Sequence, residues 1–286
     1  MTRTAALALL LLLGACSQDT ETPPADVATR IVTLAPNLAE LVYSVGAGEQ
    51  LVGVSAWSDY PKPVLELPTV GDAFMVDQEQ LALLAPDLLL VWESGTPAHT
   101  VEKLRALGYR VEAIRTRGLD DVAAAMLRIG DLTGHEETAR VAAGEFRAAL
   151  DALRAEYASS PGISVFFQVS ARPLYTVNSE HYVSQLIGIC GGQNVFDDLS
   201  ELAPTIAVEA VVDRDPEVML ASTDAGDDAF AEWDRWPGIA AIRYGNQFLL
   251  PADEIARATP RLVVAGHAVC LALSQARANR AGYVAP

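Results

Sequence analysis

From Arg30 onward, short apolar runs alternate with stretches in which apolar residues recur at helical spacing. RIVTL (30–34) reads as a strand, and PNLAELVYSVG as a helix opened by Pro36 and stopped at Gly46. LVGVS is a second strand, and WSDYP, Trp57 to Pro61, is a loop. In DQEQLALLAPDLLLVW, Asp77 is placed to cap a short helix with Gln80 three residues on, Pro86 ends that helix, and Leu88 to Val91 form a strand buried on both faces. A helix over 99–107, a strand YRVEAI and a helix over 119–132 complete a first lobe. Such alternation predicts an α/β fold with parallel strands.

Residues 136–158 form one long amphipathic pattern, with Val141, Phe146, Leu150 and Leu153 as its apolar stripe. A helix of that length, at about 1.5 Å per residue, exceeds about 30 Å and can serve as a spine between two lobes. Beyond it the grammar repeats: a strand ISVFFQV, a helix from His181 to Ile189, a stop at Gly191–Gly192, then IAVEAVVDRDPEVMLAS. Placing Pro216 on Pro86 superposes Glu209 on Glu79, Glu217 on Asp87 and VML on LLL, so each glutamate precedes its proline by seven residues. The expected architecture is two Rossmann-like lobes, 30–134 and 161–286, each with a mainly parallel sheet. A connecting helix over 135–160 joins them, and a ligand cleft lies between.

A chain of 286 residues, 51% of them hydrophobic, can build a substantial core. Its formal net charge of -17 is poorly matched to nucleic acid or an anionic membrane surface, and suits a basic protein partner. The N-terminus, MTRTAALALLLLLGAC, has Arg3, an apolar run from Ala5 to Leu13 and small residues before Cys16. Residues 1–15 therefore read as a secretory signal, too short for a membrane-spanning helix. LGAC resembles the lipobox of bacterial lipoproteins, which makes Cys16 the expected acylated residue and 16–29, with its paired prolines, a tether. In an exported chain the remaining thiols, Cys190 and Cys270, most simply pair; two buried free thiols is the other reading.

Catalytic and nucleotide-binding signatures are missing, and His99, His135, His181 and His267 show no metal-ligand spacing, so they read as surface or helix-end residues. No enzyme, cofactor or resident metal is expected. Aromatic residues instead gather in loops at strand ends: Trp57, Tyr60, Phe74, Trp92 and Tyr175. A cleft lined in this way suits a large, partly apolar ligand held by stacking.

RIVTLAPNLAELVYSVG, VGVSAWSDYPK, LAPDLLLVW, ICGGQNVF and ATPRL resemble the periplasmic substrate-binding proteins of ABC importers whose lobes are joined by one long helix. Within that family they look most like the members that take cobalamin. The resemblance implies aromatic ligand contacts at Tyr60, Trp92 and Tyr175, with Phe74 where tryptophan is typical, and polar contacts at Asp253 and Arg257. Where the family has a further tryptophan, Ala203 offers no ring, which leaves a ferric siderophore or haem as the alternative ligand. By the same resemblance Cys190 and Cys270 form a disulfide, and Glu79 and Glu209, one per lobe, dock onto arginines of a permease dimer that carries ATPase subunits. The expected protein is a single-copy, lipid-anchored binding protein of the periplasm or cell envelope, carrying a corrinoid.

Overall fold

The computed structural model describes residues 27–226 and 228–284; the signal, Cys16 and most of the tether lie outside them. The first lobe runs β1 (Ile31–Thr33), α1 (Pro36–Ser44), β2 (Leu51–Gly53), α2 (Gln78–Leu84), β3 (Leu88–Trp92), α3 (Ala98–Ala106), β4 (Val111–Ile114) and α4 (Leu119–Thr133). A single helix, α5 (Glu136–Tyr157), leads to β5 (Ile163–Gln168), the hairpin β6 (Ser170–Ala171) and β7 (Leu174–Tyr175), α6 (Tyr182–Ile189) and β8 (Gly192–Asn194). Then follow α7 (Val208–Arg214), β9 (Val218–Ser222), α8 (Ala240–Tyr244), β10 (Gln247–Leu250), α9 (Ala252–Ile255) and α10 (Leu262–Gly282).

The two four-stranded sheets are parallel throughout and share one order: β2-β1-β3-β4 in the first lobe, and, read from β8, β8-β5-β9-β10 in the second. The equivalence extends to single hydrogen bonds. Asp87, after the proline, accepts the Arg30 amide on its carboxylate at 3.0 Å and donates its own amide to the Arg30 carbonyl. Glu217 does the same with Ser164 at 3.0 Å. The preceding helices end alike, with Ala85 and Asp215 left-handed at φ 43° and 42°. Proline next in line forbids a further helical turn, and the left-handed residue aims the chain into the strand.

Asp77 caps α2 as its spacing predicts, accepting from the Gln80 amide at 3.0 Å. On β3, Leu88 and Leu90 face one side of the sheet while Leu89 and Val91 face the other, all fully buried, because alternate residues of a strand point to opposite faces. The side carrying Leu88 and Leu90 packs on α1 and α4, and β5 presents Val165 and Phe167 to the same apolar layer in the second lobe. Helix α5 enters that layer through Ala139, Ala143, Phe146, Leu150 and Leu153. Val141, expected in the stripe, is 48% exposed: the buried positions recur by four and three residues, and 141 falls off that face.

Helix α10 closes the layer. At Gly266 an added Cβ would lie 2.8 Å from a terminal methyl of Leu153 of α5, so a larger residue there would have to push that side chain aside. The Cys190–Cys270 disulfide staples the end of α6 to α10 across a sequence separation of 80. By removing loop entropy from the unfolded chain, a bridge of that span contributes about 4 kcal/mol. No helix among the described residues is long and apolar enough to cross a membrane.

Candidate functional site

The carboxyl ends of β3, β5 and β9 converge on a cavity of about 650 Å³. Trp92, the last residue of β3, enters it from the first lobe; Phe167, Val169, Ser222 and Asp224 enter from the ends of β5 and β9. Parallel strands leave this end open because each crossover helix starts there, which is why ligands settle at such a place. The wall of the second lobe mixes small apolar residues, among them Ala171, Ala203, Ala229 and Ala256, with the charged Arg172, Asp224, Asp228 and Glu232. Gln168 fixes that wall: its Nε2 donates to the Ala229 carbonyl at 2.7 Å, and its Oε1 accepts from Trp233 Nε1 at 2.7 Å. Trp233 in turn is buried edge-on against Phe166.

Behind the cavity the lobes touch at two hydrogen bonds: the Tyr182 amide donates to the Arg117 carbonyl at 2.7 Å, and the Gln185 side chain accepts the Leu119 amide on Oε1 at 2.8 Å. His181, on the cavity lining, caps α6 through Nδ1, which accepts the Val183 amide at 3.2 Å. Sequence reasoning placed this histidine at a helix end; its second role, on the cavity, depends on tertiary placement that spacing does not carry. Burial pushes its pKa down to about 4. The group is depressed in the folded state, so its contribution is complete above the unfolded value near 6.5 and is lost as pH falls through about 4. Stability is therefore expected to fall by up to about 3 kcal/mol over that window. In His181→Asn the slope should flatten, as urea melts at stepped pH will show.

A second contact between lobes stands apart from the cavity. Glu40, on the buried face of α1 and with 3% of its side chain exposed, accepts from Arg257 at 3.0 Å and from Arg261 at 2.6 and 2.9 Å. Arg257 also grips Asp59 of the SDYP loop and the carbonyl of Trp57, which is left-handed at φ 67°. The Arg257 hydrogen bond holds the Asp59 carboxyl below the usual range. Arg261 lies over the Tyr60 ring at 4.3 Å, beside a hollow of about 320 Å³. Sequence reasoning missed Glu40, although a carboxylate amid Leu38, Leu41 and Val42 on a helical apolar face was a legible signal.

The residues singled out from sequence are thus spread. Trp92 is on the cavity wall, and so is Ala203. Tyr60 is 48% exposed beside the ion cluster; Phe74 is 70% exposed beside Met75; Tyr175 is half-buried in the β6–β7 hairpin. Asp253 is exposed in the first turn of α9, and Arg257 is committed to Glu40 and Asp59. Glu79 and Glu209 are both exposed, each the second residue of its seven-residue helix. No group of three or more metal-ligating side chains exists among the described residues.

Two parallel-sheet lobes on one helical layer, meeting over an open cavity at their strand ends, define the architecture of a two-lobed binding protein. The chain belongs to the periplasmic binding protein family, whose pattern matches residues 31–254. It is 34% identical over 251 residues to the vitamin B12-binding protein of Vibrio cholerae, covering 87% of this chain and 91% of that one. The crystal structure of the periplasmic vitamin B12 binding protein BtuF of Vibrio cholerae superposes with a TM-score of 0.78, covering 87% of this chain and 98% of that chain at 34% identity. A periplasmic heme binding protein from Pseudomonas aeruginosa follows at a TM-score of 0.74 and 25% identity, covering 86% of this chain and 92% of that one. Members of this family are binding proteins, not enzymes.

Proposed function

We propose that this chain captures cobalamin or a related corrinoid outside the cytoplasm and delivers it to an ABC permease dimer carrying ATPase subunits. It acts as a single copy tethered by a lipid on Cys16. The observation that carries this reading is Trp92 at the end of β3, on the wall of a roughly 650 Å³ cavity whose other lobe contributes several alanines, in a chain 34% identical to a vitamin B12-binding protein. A corrin ring offers a broad, partly apolar face that an indole can cover on one side and small residues can approach on the other. Tyr60, Phe74 and Tyr175, with Asp253 and Arg257, form the wider contact set of a ligand that overhangs the cavity. The exposure of the Tyr60 and Phe74 rings suits that role.

Purified protein titrated with cyanocobalamin, haem and ferric siderophores tests the reading. Tight binding of the corrinoid alone supports it, and absence of corrinoid binding refutes it. Trp92→Ala is expected to weaken corrinoid binding roughly tenfold to a hundredfold, since one stacked aromatic contact is worth about 1.5–3 kcal/mol with its buried area. Calorimetric titration of the variant measures that loss.

A further inference from the structure

The polar groups on the cavity wall sort into two kinds. His181, from the second lobe, supplies an N–H donor. Because His181 Nδ1 accepts the Val183 amide, the proton of the neutral ring sits on Nε2, which has no protein partner among the described residues. Burial keeps the ring neutral at working pH. Trp92 meets the cavity with its ring and not its N–H: Nε1 is sealed from solvent, and the Cε3 edge of the indole lies on Gly95, where an added Cβ would fall 1.9 Å from Cε3.

The second kind is acidic. Asp224 and Asp228 reach the same cavity and make no ion pair among the described residues, whereas the nearby Glu232 is neutralised by Arg172. Arg172, the remaining cation on the wall, is thereby engaged as well.

Resting on the corrinoid reading above, we propose that the cavity selects a macrocycle rimmed with primary amides over one rimmed with carboxylates: His181 Nε2 binds an amide oxygen, and Asp224 and Asp228 bind amide N–H groups. A carboxylate rim supplies an acceptor for the His181 N–H but meets the two aspartates with like charge and no donor, and Arg172 is not free to compensate. His181, with Nδ1 held by the helix and Nε2 protonated, has no lone pair for a metal ion. It is a hydrogen-bond donor to the ligand and not an axial ligand.

The test uses two matched pairs, followed by tryptophan fluorescence of the purified chain: dicyanocobinamide against dicyanocobyrinic acid, and haem diamide against haem. The amide member of each pair that binds is expected to bind at least tenfold tighter, and Asp224→Asn with Asp228→Asn should remove most of that preference. Equal affinity, or preference for the carboxylate, overturns the proposal. His181→Asn keeps a good helix cap, so its melting midpoint at pH 7.5 checks folding while the far N–H is lost. A tenfold weaker amide corrinoid with an unchanged midpoint is expected, and unchanged affinity overturns the donor role. Aquocobalamin should keep its absorption bands on binding; a shift to an imidazole-ligated spectrum in wild type that is absent in His181→Asn refutes the donor assignment. If only the haem pair binds, the corrinoid reading fails while the amide preference is still decided by that pair. If neither pair binds, both fall.

Discussion

Replacing Glu40 by alanine is expected to destabilise the protein by about 3–5 kcal/mol, the cost of stranding buried charge. Among the described residues Glu40 is the only carboxylate that both Arg257 and Arg261 share, and those side chains are 15% and 17% exposed. Burial disfavours the Arg257 charge, but hydrogen bonds from Asp59 and Glu40 more than offset it, so the guanidinium stays protonated at any working pH. The variant therefore cannot relieve its two facing cations by shedding a proton. Asp59 on Arg257, and Glu254 at 3.7 Å from Arg261, remain as partial compensation. Glu40→Gln keeps the shape and should fall between the two. Urea unfolding measures all three proteins, and a loss below about 1 kcal/mol for the alanine variant would place the cluster among solvated pairs of little worth. Because α1 and the SDYP loop belong to the first lobe, and the arginines to the segment before α10 in the second, the same variant should loosen the angle between lobes.

Reversing both Glu79 and Glu209 to lysine is expected to abolish uptake while leaving ligand affinity unchanged, under the docking role proposed for them. Each acid is exposed, makes no pair within the chain among the described residues, and sits in the first turn of equivalent helices that end in the same left-handed residue. A helix N-terminus favours an acid by a few tenths of a kcal/mol, which explains one glutamate locally but not the recurrence at a matched site in the other lobe. Charge-assisted contacts to arginines set orientation and encounter rate, so reversal converts attraction to repulsion at two points at once. Radiolabelled cobalamin uptake, in cells that depend on the variant for import, reads the outcome. Normal uptake would remove the docking role.

Much of the architecture is written locally. Asp77, Pro86 and the LLLV run specify a capped helix, a stop and a buried strand with little help from elsewhere, and the matched offsets of Glu79 and Glu209 foretell the two equivalent sheets. What local pattern does not hold is which partners long side chains choose. Arg257 lies 198 residues from Asp59 and 217 from Glu40, so its commitment to a contact between lobes emerges only from packing. His181 is similar: its place before an apolar helix is readable, its place on a cavity is not. Short strands with weak patterns, such as Gly192–Asn194, pass for a glycine stop because three residues carry too little periodicity to read.

The apolar layer reached by both sheets has a thermodynamic consequence. Ile31, Leu88 and Val122 of the first half and Val165, Leu186 and Leu273 of the second belong to one continuous packed body threaded by α5. Neither half can lose its structure without exposing the other's buried surface. Heating should therefore produce one calorimetric peak whose measured and van't Hoff enthalpies agree, rather than two successive meltings. A half-chain expressed alone would carry a bare oily flank and would be recovered as aggregate.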